Sequence, residues 1–230
     1  MISLDWNHID TVLLDMDGTL LDLHFDNFFW LQHLPKRYAE KNNTTVAAVI
    51  DGLVQHMREQ QGTLNWYCTD YWSRELNLDI IELKREIEHL IDERPFVRPF
   101  LETLGLHNKQ RILVTNAHRN SVAIKFSQTG IDSLLDSVIS SHDFGQPKED
   151  QRFWQQLEQS VGFNPSRTLF IDDSEVILES AQEYGIKHLL CIEQPDSRGE
   201  SRQSENFAMI DSFEQILDGA TGLGKEKSGN

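Results

Sequence analysis

Thr11-Val12-Leu13-Leu14-Asp15-Met16-Asp17-Gly18-Thr19 decides how the rest of the chain is read. Its four leading apolar or β-branched residues suit a strand buried on both faces, as in a parallel sheet, with acidic residues following at the carboxyl end. The same texture returns at Arg111-Ile112-Leu113-Val114, Ser137-Val138-Ile139-Ser140, Thr168-Leu169-Phe170-Ile171 and His188-Leu189-Leu190-Cys191-Ile192. Helical patterns fill roughly 96–107, 119–129, 149–161 and 175–184. Strand and helix alternating in this order predict a doubly wound parallel α/β sheet.

One segment breaks the alternation. From about His24 to Glu93 there is helical periodicity rich in aromatics and charge, and no convincing strand. A crossover connection needs only about a dozen residues, so this stretch predicts an inserted all-helical cap domain over the strand ends. The expected division is a core of residues 1–23 and 94–218, a cap of 24–93 and a flexible tail of 219–230. Gln194 to Asn206 lacks apolar periodicity and reads as a mobile loop.

Composition narrows the function. The 230 residues carry 21 Lys+Arg against 37 Asp+Glu, a formal charge of −16. That charge argues against nucleic-acid polymers and anionic membranes, which are bound by neutralising phosphates with Lys and Arg. No stretch approaches the ~20 apolar residues of a membrane span, and Met1-Ile2-Ser3-Leu4-Asp5-Trp6 lacks a signal peptide's basic start, so a cytoplasmic location is expected. Cys68 and Cys191 lie in no ligand-like spacing and read as two buried thiols in a reducing compartment.

Open parallel sheets bind ligands at the carboxyl ends of their strands. There the sequence places Asp15 and Asp17 with Gly18, then Thr115-Asn116, then Lys148, then Asp172-Asp173. Asp15, Asp17 and Asp172 cannot all stay ionised side by side without a cation, and a few hard oxygen ligands suit Mg²⁺. With the repulsion screened, a carboxylate can attack a phosphoryl group. A carboxyl two residues on can protonate the leaving oxygen and later activate water. Gly18 would let the chain turn sharply after the strand, bringing Asp17 back over the site. Thr115 and Asn116 offer donors to phosphate oxygens and Lys148 a positive charge. Each element alone is common; four strand ends supplying one reaction are not.

Asp15-Met16-Asp17-Gly18-Thr19-Leu20-Leu21-Asp22 resembles the DxDGT signature of the haloacid dehalogenase-like hydrolases. Thr115, Lys148 and Asp172-Asp173 match that family's later motifs in order. The resemblance implies a Rossmann-like core, a phosphoaspartate intermediate and a Mg²⁺ cofactor, with Mn²⁺ among the divalent ions that could replace it. Asp15 is then the nucleophile and Asp17 the general acid/base. Asp15, the Asp17 carbonyl and Asp172 would hold the metal, with Asp173 an outer or additional partner. The second Asp of the motif argues for a phosphatase over a dehalogenase.

Thr63-Leu64-Asn65-Trp66-Tyr67-Cys68, Thr115-Asn116-Ala117-His118 and Phe144-Gly145-Gln146-Pro147-Lys148-Glu149-Asp150-Gln151 further resemble the bacterial GMP/IMP nucleotidases. That likeness implies a small phosphorylated metabolite, a purine nucleoside 5′-monophosphate, as the partner. A sugar-phosphate phosphatase or phosphomutase is the alternative, and a non-catalytic phospho-switch a more distant one; nothing in the sequence signals an oligomeric state. In the cap, Phe25, Phe28, Phe29, Trp30, Trp66, Tyr67, Tyr71 and Trp72 are expected mainly to pack against each other, leaving one or two for the cleft. Asn65 and His56 are minor candidates for reading a base edge; Arg58, Arg74 and Arg119 are expected at the surface and His118 in the turn after the second strand.

Overall fold

A computed structural model describes residues 4–221. Six strands form one parallel sheet: β1 Thr11–Leu14, β2 Gln110–Thr115, β3 Ser137–Ser140, β4 Thr168–Asp172, β5 His188–Ile192 and β6 Met209–Ile210, in the spatial order β3-β2-β1-β4-β5-β6. The first five are the apolar runs read from the sequence. The sixth escaped that reading because two residues hold no periodicity.

Alternation along the strands explains why both faces are covered. Val12 and Leu14 of β1, Leu113 of β2, Leu169 and Ile171 of β4, and Leu190 and Ile192 of β5 share one apolar cluster. Leu13, Ile112, Val114, Phe170 and Cys191 belong to the cluster on the other face. Successive side chains point to opposite faces, so a run apolar at every position needs helices on both. Val97–Leu106 packs on the first face, and Gln151–Val161 and Glu175–Tyr184 on the second.

A third apolar cluster, separate from these two, lies wholly within the inserted segment and gathers Phe25, Phe29, Leu34, Leu53, Met57, Trp72, Leu76, Ile80, Leu83 and Ile87. That segment is helical throughout its regular parts, with Val46–Gln60 its longest helix. His24–Phe28 runs through a π-helical turn, Phe29–His33, into Leu34–Lys41, where Pro35 lacks the amide that an unbroken α-helix would use.

Two differences from the sequence expectations stand out. The Gln194–Asn206 stretch is irregular yet anchored: Leu23 N–H donates to the Pro195 carbonyl at 3.0 Å, and Ser197 N–H to Asp22 Oδ1 at 3.1 Å. Asn27 Nδ2 reaches Asp196 Oδ2 at 2.7 Å, and the buried Arg94 guanidinium donates to the carbonyls of Gln194 and Pro195. Polar anchors fix a loop without apolar periodicity. The helix Glu214–Thr221 also enters the stretch expected as tail, with Ala220 fully buried in the core; positions 222–230 lie outside the described residues.

Candidate active site

Register brings the acidic residues together. Leu14 pairs with Ile171 and with Leu113, so Asp15, one step on, falls beside Asp172 at the sheet's carboxyl edge. Asp15 N–H continues the ladder to the Ile171 carbonyl at 3.0 Å. Asp15, Asp172 and Lys148 are all buried. Lys148 Nζ lies 2.6 Å from Asp15 Oδ1, 2.7 Å from Asp172 Oδ2 and 3.2 Å from the Val114 carbonyl. One ammonium thus bridges the ends of β1, β2 and β4.

Asp173 adds a third carboxyl. Asp15, Asp172 and Asp173 each offer an oxygen, and the three atoms lie within 4.8 Å of one another. Burial pushes Asp15 up to about 6, against the pull of Lys148. Burial likewise raises Asp172, and it raises Asp173 well above the carboxylate range, helped by the neighbouring Asp172 and Asp15. The buried Asp15 and Asp172 and the half-buried Asp173 set three carboxyls against Lys148 and the more distant Arg202, 3.9 Å from Asp173, which leaves the carboxyls in excess. Such an oxygen-rich, electron-rich cluster fits a hard divalent cation.

Gly18 fixes the turn that follows β1. Its φ of +83° is left-handed, and a Cβ there would stand 2.8 Å from Asp173 Cγ and 2.9 Å from Pro195 Cβ. The turn closes through Gly18 N–H donating to the Leu21 carbonyl at 2.8 Å. Only a residue without a side chain lets this turn pass under Asp173 and the anchored 194–206 stretch.

Asp17 is held by a partner that the sequence reading missed. The buried Lys125, on the helix Arg119–Thr129, donates to Asp17 Oδ1 and, at 2.6 Å, to Asp26 Oδ2. Lys84, also buried, reaches Asp26 Oδ1 at 2.7 Å, and its Nζ stands 4.7 Å from the Phe29 ring centroid. Asp17, Lys125, Asp26 and Lys84 form one alternating chain of charge from the β1 turn into the cap. Burial pushes Asp17 up to about 6, with Lys125 opposing. Lys125 and Lys84 together hold Asp26 below the ordinary range although burial acts the other way.

At β2, Thr115 Oγ1 accepts from Ala117 N–H at 3.0 Å. Asn116 ties two segments together: its Oδ1 accepts from Lys148 N–H at 2.9 Å, and its Nδ2 donates to Glu149 Oε2 at 3.0 Å. Glu149 Oε1 in turn accepts from Tyr67 Oη of the cap at 2.9 Å, a second latch between cap and core.

Between cap and core lies a cavity of about 280 Å³. Asp17 and Asp26 line it with Asn27 and Lys84, and Trp30, Trp66, Tyr67 and Trp72 supply aromatic walls. More rings face the cavity than the sequence led one to expect. Phe25 and Phe29 are buried in the cap's own core, as their spacing indicated. Asn65 instead donates to Gln60 Oε1, and His56 contacts Tyr71 Oη at 3.4 Å; neither lines the cavity. Arg58, Arg74 and Arg119 are exposed.

Comparison with known proteins agrees with this geometry. The family model described as haloacid dehalogenase-like hydrolase matches residues 9–185, most of the chain. The chain belongs to that family. As a haloacid dehalogenase-like hydrolase it is similar to the GMP/IMP nucleotidase YrfG of Escherichia coli, with 44% identity over 216 residues covering 94% of this chain and 97% of that protein. Among solved structures it resembles the HAD phosphatase from Thermococcus onnurineus, with a TM-score of 0.76, 19% identity, and 91% and 97% of the two chains covered. A β-phosphoglucomutase-like protein from Thermotoga maritima shares the fold at a TM-score of 0.65 and 18% identity, covering 94% and 100%.

Proposed function

We propose that the chain is a Mg²⁺-dependent phosphomonoesterase that hydrolyses purine nucleoside 5′-monophosphates, GMP or IMP, to nucleoside and phosphate. The observation that carries the reading is the juxtaposition of two features: the Asp15–Lys148–Asp172 cluster, and an aromatic-walled cavity with Asp17 in its wall. The similarity to a GMP/IMP nucleotidase along nearly the whole chain supports the substrate class.

In this reading the Asp15 carboxylate attacks phosphorus, and the bond from phosphorus to the nucleoside oxygen breaks. Asp17 gives that oxygen its proton. Asp17, now ionised, takes a proton from the water that attacks the phosphoaspartate, and phosphate leaves with Asp15 restored. The Asp15 and Asp172 carboxylates and the Asp17 carbonyl, with Asp173 beside them, would hold a divalent ion, which would supply electrostatic screening between carboxylates and phosphate. Lys148 and Thr115 face the phosphoryl oxygens, while Asn116, expected as a further donor, spends its amide on Lys148 N–H and Glu149 and so holds that segment in place. Lys148 also keeps Asp15 oriented by its 2.6 Å contact.

The four-ring wall of Trp30, Trp66, Tyr67 and Trp72 gives the base its faces to stack on, worth ~1–3 kcal/mol per base. A cavity this small admits one metabolite and no polymer. The test is a phosphate-release screen over nucleoside and sugar monophosphates with Mg²⁺. Highest kcat/KM for GMP and IMP is expected. Preference for a hexose phosphate, or interconversion of sugar phosphates with little phosphate released, would overturn the substrate assignment.

A further inference from the structure

Cys68, read from the sequence as a buried thiol outside any ligand-like spacing, is only half-buried and has two imidazoles beside it, whereas Cys191 is buried as expected. Cys68 joins the cap helices Leu64–Tyr67 and Thr69–Leu76, and its Sγ accepts the Tyr71 N–H at 3.4 Å. Across the cap–core seam stand His118, which follows β2, and His142, which follows β3. Their rings are 4.8 Å apart, centroid to centroid, at 84°. One donor atom from each of Cys68, His118 and His142 lies within 4.8 Å of the other two.

The imidazoles are prepared for a ligand. His142 Nε2 is buried with no hydrogen-bond partner, which normally costs stability. His118 Nδ1 lies 3.0 Å from Thr69 Oγ1, and His118 Nε2 lies 3.6 Å from Asp70 Oδ2. Hydroxyl and carboxylate neighbours of this kind orient ligating imidazoles at metal centres.

We propose that Cys68, His118 and His142 form a second metal site, selective for a thiolate-seeking ion of the Zn²⁺ class, that ties the cap to the core. A thiolate with two imidazoles suits Zn²⁺ and not Mg²⁺, which prefers oxygen. The fourth position is open to water or to Asp70. Tetrahedral Zn²⁺ needs its sulfur and nitrogen ligands about 3.3–3.6 Å apart, so occupancy draws the seam inward. Cys68 belongs to the cap and the histidines to the core, so the ion holds the two bodies together and slows turnover. This site shares no residue with the carboxylate cluster and stands whatever the physiological substrate proves to be.

The test uses the full chain with Mg²⁺ in excess. Co²⁺ is added as a spectroscopic stand-in for Zn²⁺, and a thiolate-to-cobalt charge-transfer band is expected in wild type and in Cys191→Ser, but not in Cys68→Ser or His142→Gln. On the wild-type protein alone, Zn²⁺ is expected to slow alkylation of Cys68 by iodoacetamide by at least about tenfold, because a metal-bound thiolate is a poor nucleophile toward alkylation. With para-nitrophenyl phosphate as probe, Zn²⁺ is expected to lower turnover of wild type and to spare Cys68→Ser. Any of three results overturns the proposal: no band in wild type or an undiminished band in either ligand variant, unchanged alkylation, or an equal response of wild type and Cys68→Ser to Zn²⁺.

Discussion

Gly18 shows how much one residue fixes. Replacing it with Ala puts a side chain into a left-handed turn and within 3 Å of Asp173 and Pro195. The predicted cost is roughly 1–3 kcal/mol in urea unfolding, accompanied by loss of activity larger than the stability change explains. Asp15 yields a prediction on pH. Burial pushes its carboxyl up to about 6, above the 3.8 of an unperturbed one. A group raised in this way stabilises the fold below its unfolded value and loses that contribution as pH climbs through its folded one. Mg²⁺ competes with that proton, so saturating Mg²⁺ should raise the thermal midpoint more near about pH 7.5 than near about pH 5. Equal gains at both would contradict the assignment of Asp15 as ligand. Asp15, Thr115, Lys148 and Asp172 were legible in the sequence because each follows an apolar strand, and parallel sheets gather such ends. Lys125 was not. A lysine inside a helix reads as solvated, and its partners Asp17 and Asp26 lie 108 and 99 residues away. The weak signal available was its place three residues after the buried Val122, on the inward face of that helix.

Among the elements, the helix Arg119–Thr129 has the most distinctive role, because it carries a cation that joins the β1 turn to the first cap helix. Lys125→Met leaves Asp17 without its partner and Asp26 with Lys84 alone. A buried charge pair broken on one side costs about 3–5 kcal/mol, so a loss of that size is predicted in urea denaturation. Adding Asp17→Asn should recover part of it, since the carboxylate left without a counter-charge is then gone while Asp26 keeps Lys84. A cost below about 1 kcal/mol, the range of exposed pairs, would show that the chain of charges is not structural. Five of the six strands and the helical insert could be read from period alone, since a strand apolar at every position is distinct from an amphipathic helix. The anchoring of the 194–206 stretch could not, because it rests on single polar contacts such as Asn27 with Asp196, which leave no period in the sequence.

For the molecule as a whole, a formal charge of −16 coexists with chemistry on anions because the repulsion is handled locally. In the proposed reading Lys148 and a divalent ion would face the phosphate at the sheet edge, beside the aromatic-walled cavity under the cap. Among the described residues no helix is long and apolar enough to cross a membrane. In the proposed reading the cap selects by size and shape which leaving group reaches Asp17, and the core handles the phosphoryl group. The most direct measurement mixes the Asp17→Asn variant with Mg²⁺ and para-nitrophenyl phosphate, whose leaving group departs without a proton from Asp17, quenches in acid within one turnover, and maps the modified peptide by mass. Its slowed second half-reaction, by about 10²–10⁴ for loss of a general base, should let the intermediate accumulate. The predicted result is one phosphoryl group on the peptide containing Asp15. Phosphate released with that peptide unmodified at every time point, or undiminished hydrolysis by Asp15→Asn, would contradict it.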